Sequence, residues 1–188
     1  MKLLLLGPQG SGKGTQAARI AAEYGLDKIE TGQMLRDAIA ASSELGRRVE
    51  SLVHEGRLVP DDLMTELIEE RLEGVDGFVL DGFPRTLGQA RALDALLADL
   101  GKELDAVFFF DLPDEIARGR LLARASDEGR ADDTPEAIAQ RLAEYHEKTE
   151  PVVEHYRALG KLVPVHADRS VNEVFAEIQQ ALDQVAAR

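Results

Sequence analysis

Cysteine is absent from the chain, so neither a disulfide nor a thiolate-held metal enters its fold or chemistry. No apolar run approaches the roughly 18 residues of a membrane-crossing helix. The leading apolar stretch, residues 2–6, is too short for a signal sequence and runs straight into a glycine-rich loop, so a reducing cytoplasmic setting is expected. Positive charge is scarce. With 22 Lys and Arg against 35 Asp and Glu, the net charge is −13. Phosphate polymers and anionic lipid surfaces need a positive face, which argues against nucleic-acid and membrane partners. The four histidines (His54, His146, His155, His166) show no HExxH-like spacing and read as surface or packing residues. No Ser/His/Asp or paired-acid constellation, internal repeat or low-complexity segment is evident.

What is present begins with residues 3–6, a uniformly apolar stretch of the kind a buried parallel strand shows. It leads into Gly7-Pro8-Gln9-Gly10-Ser11-Gly12-Lys13-Gly14-Thr15. Strand, glycine-rich loop and helix in this order make a P-loop. Its backbone N–H groups wrap a phosphate and the helix N-terminus faces it. Gly7, Gly10, Gly12 and Gly14 keep side chains out of the nest, and Lys13 reaches the β- and γ-phosphates. The usual template has Ser or Thr directly after the lysine. Gly14 stands there, with Thr15 next as a candidate cation ligand. The plain alternative is an ordinary glycine-rich turn between strand and helix.

With 188 residues and 44% hydrophobic content the chain fits one α/β domain. Ala17, Ile20, Ala21 and Tyr24 form the inward stripe of the first helix, which Gly25 ends. A weak strand follows at residues 28–30. A long helical excursion then runs from Thr31 to about Leu72, broken at Ser43, Gly46 and Gly56 and restarted at Pro60. It is too long for a simple crossover and predicts a flap over the sheet's carboxyl edge. Phe78-Val79-Leu80 is the next buried strand, and Thr86 caps the helix after it. Residues 107–110 form the fourth strand. The helix opened by Pro113 turns Ile116, Leu121 and Leu122 inward. Residues 125–133 are polar and charged, a mobile loop by composition. Thr134-Pro135 opens a helix that Pro151 should kink. A fifth strand at 162–165 and a closing helix, with the capping-box spacing Ser170 to Glu173 and the inner stripe Val171, Val174, Phe175, Ile178, Leu182 and Val185, complete the chain. The alternation predicts an α/β fold: a five-stranded parallel sheet of P-loop NTPase type, helices on both faces, and a crevice at the strands' carboxyl ends. At that edge Asp81 ends an apolar strand, where a carboxylate can hold the Mg²⁺ of ATP through water.

The combination of GPQGSGKGT, TGQMLR, DGFPR, an arginine-rich helix and GRADD resembles the adenylate kinases of the short-lid form, within the nucleoside monophosphate kinases. The likeness spans nearly the whole chain. It implies reversible transfer of the terminal phosphoryl of Mg-ATP to AMP, giving two ADP, and a role in adenine nucleotide homeostasis. It implies a single domain with core 1–29, 60–124 and 136–188, a monophosphate-binding flap at 30–59 and a short lid at 125–135. On the ATP side it implies Gly10, Ser11, Gly12, Lys13, Gly14 and Thr15, with Arg120 over the adenine, Arg124 on the phosphates and the backbone of Arg169 at the base. On the AMP side it implies Thr31 and Arg36, the backbone of Arg57, Leu58 and Val59, then Gly82, Phe83, Pro84 and Arg85, with Gln89 at the adenine edge. Arg130 and Arg141 match arginines that meet the transferring phosphoryl and the AMP phosphate. Asp132 and Asp133 match lid acids that help close the site. Lys13, Arg85, Arg124, Arg130, Arg141, Asp132 and Asp133 form the implied catalytic set. Guanidinium forks suit phosphate oxygens, and Gln both donates to and accepts from an adenine edge.

Two departures stand out. Gln33 replaces the acid of the TGDxLR pattern, removing a negative charge near the monophosphate site. The lid is only about ten residues, and without cysteine the metal-bound lid of long-form relatives is absent, so no zinc is expected. A monomer suits a protein that closes around its ligands. Two other readings stay open: a P-loop switch that signals to a partner, for which no NKxD guanine motif is found, and a shikimate-type small-molecule kinase, which the DGFPR and Gln89 match disfavours.

Overall fold

A computed structural model describes residues 1–128 and 133–186. Its centre is a parallel sheet of β1 (Lys2–Leu6), β2 (Asp27–Glu30), β3 (Phe78–Asp81), β4 (Ala106–Asp111) and β5 (Leu162–His166), in the order β2-β3-β1-β4-β5. Side chains of a strand alternate between faces. Leu4 and Leu6 of β1, Phe78 and Leu80 of β3 and Val107 of β4 therefore join one core. Leu3, Leu5, Val79, Ala106, Phe108 and Phe110 join the other, on the opposite face. Both faces are covered, so the middle of β1 and of β3 is apolar, and β3 reaches its first polar residue at Asp81. β5 sits at an edge, which is where a strand tolerates Pro164.

The helices are α1 (Lys13–Tyr24), α2 (Thr31–Ala40), α3 (Glu44–His54), α4 (Asp61–Leu72), α5 (Leu87–Asp99), α6 (Asp114–Glu128), α7 (Pro135–Glu144), α8 (Glu150–Ala158) and α9 (Val171–Ala186). Their starts follow local chemistry. Ser43 accepts from Gly46 N, Thr86 from Gln89 N and Thr134 from Ala137 N, and Ser170 with Glu173 forms a reciprocal capping box. None of the described helices is long and apolar enough to cross a membrane.

Four local expectations need correction. Gly46 does not break the excursion but lies buried inside α3, where a Cβ would overlap the Ala38 carbonyl, so glycine lets α3 pack on α2. Ile116 and Leu122 are exposed, while Ala117 and Leu121 point inward. Val171, counted in the closing helix's inner stripe, is exposed at its first turn. Finally, α6 continues to Glu128, into the segment expected to be a loop from residue 125. Residues 129–132 of that loop lie outside the described residues.

At the expected Pro151 kink, α7 and α8 are joined without a gap by a π-helical turn, Tyr145–Thr149. Proline brings no N–H to the preceding turn, which favours a local change of hydrogen-bond pattern there.

Candidate active site

The carboxyl ends of β1, β3 and β2 meet in register: Leu5 pairs with Asp81, and Asp81 with Glu30. The loop after β1 therefore emerges beside two carboxylates. Gly7, Gly10 and Gly12 take φ of 139°, 81° and 88°, which L side chains resist. At Gly10 a Cβ would also stand 2.7 Å from the Ala117 carbonyl oxygen of α6. The loop closes onto α1, whose N-terminus begins at Lys13. The Lys13 ammonium donates to the carbonyls of Gly7 (2.8 Å) and Pro8 (2.7 Å) and to Ser11 Oγ (3.2 Å).

A cleft of about 720 Å³ opens over this edge. Gly10, Gly12, Lys13, Gly14 and Thr15 line it from the loop side, with Arg120 and Arg124 from α6. Thr31, Arg36, Arg57, Leu58 and Val59 line it from the flap side. Asp81, Gly82, Phe83, Pro84, Arg85 and Gln89 form its floor, and Arg141 of α7 reaches it from across. Among the described residues expected from sequence, three do not line the cleft. Ser11 is buried beneath it, accepting from Lys13. Asp133 is buried behind it, with its carboxylate fully out of solvent. Arg169 sits away from the wall, half-exposed, with its guanidinium 3.9 Å from Glu177. Arg130 and Asp132 lie outside the described residues.

Most of the arginines are anchored. Asp133 takes both Nε (2.8 Å) and Nη2 (2.7 Å) of Arg124 on one oxygen and holds Arg141 on the other. Arg141 also reaches the Val53 carbonyl of the flap at 3.5 Å. Arg36 donates to Gln33 Oε1 (2.8 Å) and Glu30 Oε1 (3.3 Å). Arg120 donates to the Ala167 carbonyl (2.9 Å) and Arg85 Nε to that of Gly82 (2.6 Å). Both backbone groups of Arg85 are also held: its N–H by Gln89 Oε1 (2.7 Å), its carbonyl by Thr149 Oγ (2.8 Å).

The charges strain against one another. Burial pushes the Lys13 pKa down to about 8; Asp81 opposes this, while Arg85 and Arg124 add to it. Burial pushes Asp81 above the usual carboxylate range, with Glu30 adding and Lys13 and Arg85 opposing. Burial also lowers Arg85, Asp81 opposing it and Arg141 and Arg36 reinforcing it. Crowded, desolvated cations are what a polyanion relieves. At Gly14 a Cβ would sit 3.6 Å from Asp81 Oδ2 and 3.8 Å from Glu30 Oε2. With glycine there, two carboxylates lie close against the first turn of α1, an oxygen-rich setting that suits a hard cation such as Mg²⁺.

Sequence reasoning missed Glu30, Asp61, Tyr145 and Thr149. Glu30 supplies Arg36 with the carboxylate that Gln33 lacks, and it also pairs with Lys28 at 2.7 Å. Its place as the last residue of a strand beside the TGQMLR segment was the available signal. Nothing local marks Asp61, whose partners lie 25 and 28 residues away.

The family model for adenylate kinase matches residues 5–161. Curated adenylate kinases resemble the chain over nearly all of its length. That of Stenotrophomonas maltophilia (strain R551-3) is 47% identical over 97% of this chain and 99% of its own. That of Thermus thermophilus is 48% identical over 96% of each, and that of Phenylobacterium zucineum (strain HLK1) 45% over the whole of both. The P-loop, the buried Asp81 and the ring of arginines lie within the matched span or beside it, and the chain belongs to the adenylate kinase family.

Proposed function

We propose that this chain catalyses ATP + AMP giving two ADP in both directions, with ATP on the P-loop side of the cleft and AMP on the flap side. One observation carries this reading: Lys13, Arg36, Arg85, Arg120, Arg124 and Arg141 converge from separate segments on one cleft, more cation than a single bound phosphate chain requires.

The acceptor, a phosphate oxygen of AMP, is already ionised, so no general base is needed. Catalysis is then alignment plus charge neutralisation. The loop amides and Lys13 hold the donor phosphates. Arg36 and Arg85 fix the acceptor phosphate, with Gln89 at the adenine edge. Arg124 and Arg141, tied to one another through Asp133, bear on the phosphoryl in transit, and Arg130 and Asp132 belong to the same set. Asp81 and Thr15 are the residues that would hold Mg²⁺, Asp81 through water. When bound with ATP the ion neutralises charge that would otherwise repel the acceptor. Thr31, Arg57, Leu58, Val59, Gly82, Phe83 and Pro84 shape the AMP pocket, and the Arg169 backbone completes the ATP side. The flap (30–59) and lid (125–135) close on the core to exclude water, which protects ATP from hydrolysis. The protein works as a cytoplasmic monomer in adenine nucleotide homeostasis.

A coupled assay across AMP, CMP, UMP and GMP tests the assignment. AMP should be used far better than the other three. Equal use of CMP or UMP would move the chain to the pyrimidine nucleotide kinases, and weak binding of two adenosines joined through five phosphates would speak against a two-nucleotide cleft.

A further inference from the structure

Asp61, the first residue of α4, does not line the cleft, yet it is tied to the residue read above as the adenine contact. Its Oδ1 accepts from Gln89 Nε2 at 2.8 Å and its Oδ2 from Thr86 Oγ at 2.8 Å. The other end of the Gln89 amide, Oε1, accepts the Arg85 N–H at 2.7 Å. Gln89 itself is buried, at 2% exposure. A free glutamine amide can turn over, exchanging donor for acceptor at little cost. Here it cannot do so freely, because both of its partners have fixed roles. A backbone N–H only donates, and a carboxylate only accepts. The Thr86 hydroxyl is committed too, since its oxygen takes the Gln89 N–H at 3.1 Å and leaves its proton for Asp61.

We infer that Asp61 is a specificity-determining positioning residue: by locking the Gln89 amide in one orientation, it makes the cleft select a 6-aminopurine over a 6-oxopurine monophosphate. The inference rests on Gln89 being the base contact. With one N–H given to Asp61 and one lone pair given to Arg85, Gln89 retains one donor and one acceptor in a set order. Adenine offers the complement, an exocyclic amino donor beside a ring-nitrogen acceptor. Hypoxanthine reverses the pair on its Watson–Crick edge, with an oxygen acceptor beside an N–H donor. It would fit a glutamine that could turn over. With the locked amide it leaves both Gln89 groups unpaired, which a polar site rejects strongly.

The test compares kcat/KM for AMP and for inosine monophosphate in the full chain and three variants, with thermal midpoints. Asp61→Asn keeps shape and packing but lets an NH₂ face a turned-over Gln89, so that the Arg85 N–H alone still opposes the turned-over amide. The AMP-to-IMP ratio should fall about tenfold or more, mainly through a higher KM for AMP, with KM for ATP unchanged. Thr86→Val loses the cap, so its midpoint should drop while the ratio stays, because Asp61 still holds Gln89. Gln89→Leu should collapse the ratio. If Gln89→Leu collapses it and Asp61→Asn does not, Asp61 is not the lock, the Arg85 N–H alone sets the amide, and the base contact stands. If neither changes the ratio, Gln89 does not read the base and both readings fall. A parallel loss on both nucleotides in Asp61→Asn, or an equal ratio change in Thr86→Val, would reduce Asp61 to a structural contact.

Discussion

The two halves of the cleft are made of different materials. The P-loop half is built from backbone: glycines at positive φ, amides at the start of α1, and a lysine tied to its own loop's carbonyls. The flap half is built from side chains held by other side chains: Arg36 by Glu30 and Gln33, Gln89 by Asp61, Arg141 by Asp133. In the first half, damage should be local and severe. In the second, function should depend on residues that never meet a nucleotide.

Lys13→Ala tests the first half at its strongest point. Turnover should fall by about 10²–10³, the effect of losing one preorganised charge at a phosphoryl in flight, while the far-ultraviolet circular dichroism stays native. Near-normal turnover would show that the loop amides suffice without the lysine. Between the halves, Asp133→Asn removes the carboxylate that ties Arg124 of the loop side to Arg141 from across the cleft. A drop of about 10–100-fold in kcat/KM is expected from displaced guanidiniums, with a lower thermal midpoint because a buried ionic network is broken. Steady-state kinetics beside calorimetry read both, and a fall in stability alone would make Asp133 only a brace.

The halves should also differ with pH. In the free protein Lys13 has a pKa of about 8, and bound phosphates would raise it. Between those two values binding takes up a proton, so ATP affinity should weaken as pH rises above about 8, by up to tenfold per unit. Titration calorimetry in buffers of different ionisation enthalpy would detect the proton. Affinity for AMP, held by arginines that stay charged, should change much less. The smallest effect expected is that of Glu30→Gln. Arg36 keeps Gln33, so KM for AMP should rise only a few-fold, in line with loss of one part-exposed ion pair. A larger rise would make Glu30 the chief support of the acceptor site.

The same contrast explains how much could be read in advance. Glycine spacing, an apolar strand and a lysine are local signals, so the P-loop half was legible from residues 3–15. The sheet was legible too, because β1, β3 and β4 are buried on both faces and read as apolar runs. Asp61 was invisible as a support, since its role exists only once α5 is placed beside it, whereas Glu30 carried one local signal, its place at the end of β2 directly before α2. Gly46 was misread as a breaker because its reason is the carbonyl of Ala38 on another helix. Ile116 and Leu122 were placed inward on hydrophobicity, but α6 turns its small and apolar face, Ala117 and Leu121, to the core.

The turn at Tyr145–Thr149 has a consequence for the whole carboxyl-terminal third. Ile138 and Leu142, before it, pack into the core on one face of the sheet, whereas Val152, Val153 and Tyr156, after it, pack into the core on the other. A regular rod advances about 100° per residue, so the wider winding acts as a phase shifter between the two cores. Deleting one residue from 145–149 would leave each half-rod intact yet swing one apolar stripe out into water, and Thr149, which steadies the Arg85 carbonyl, would swing with it.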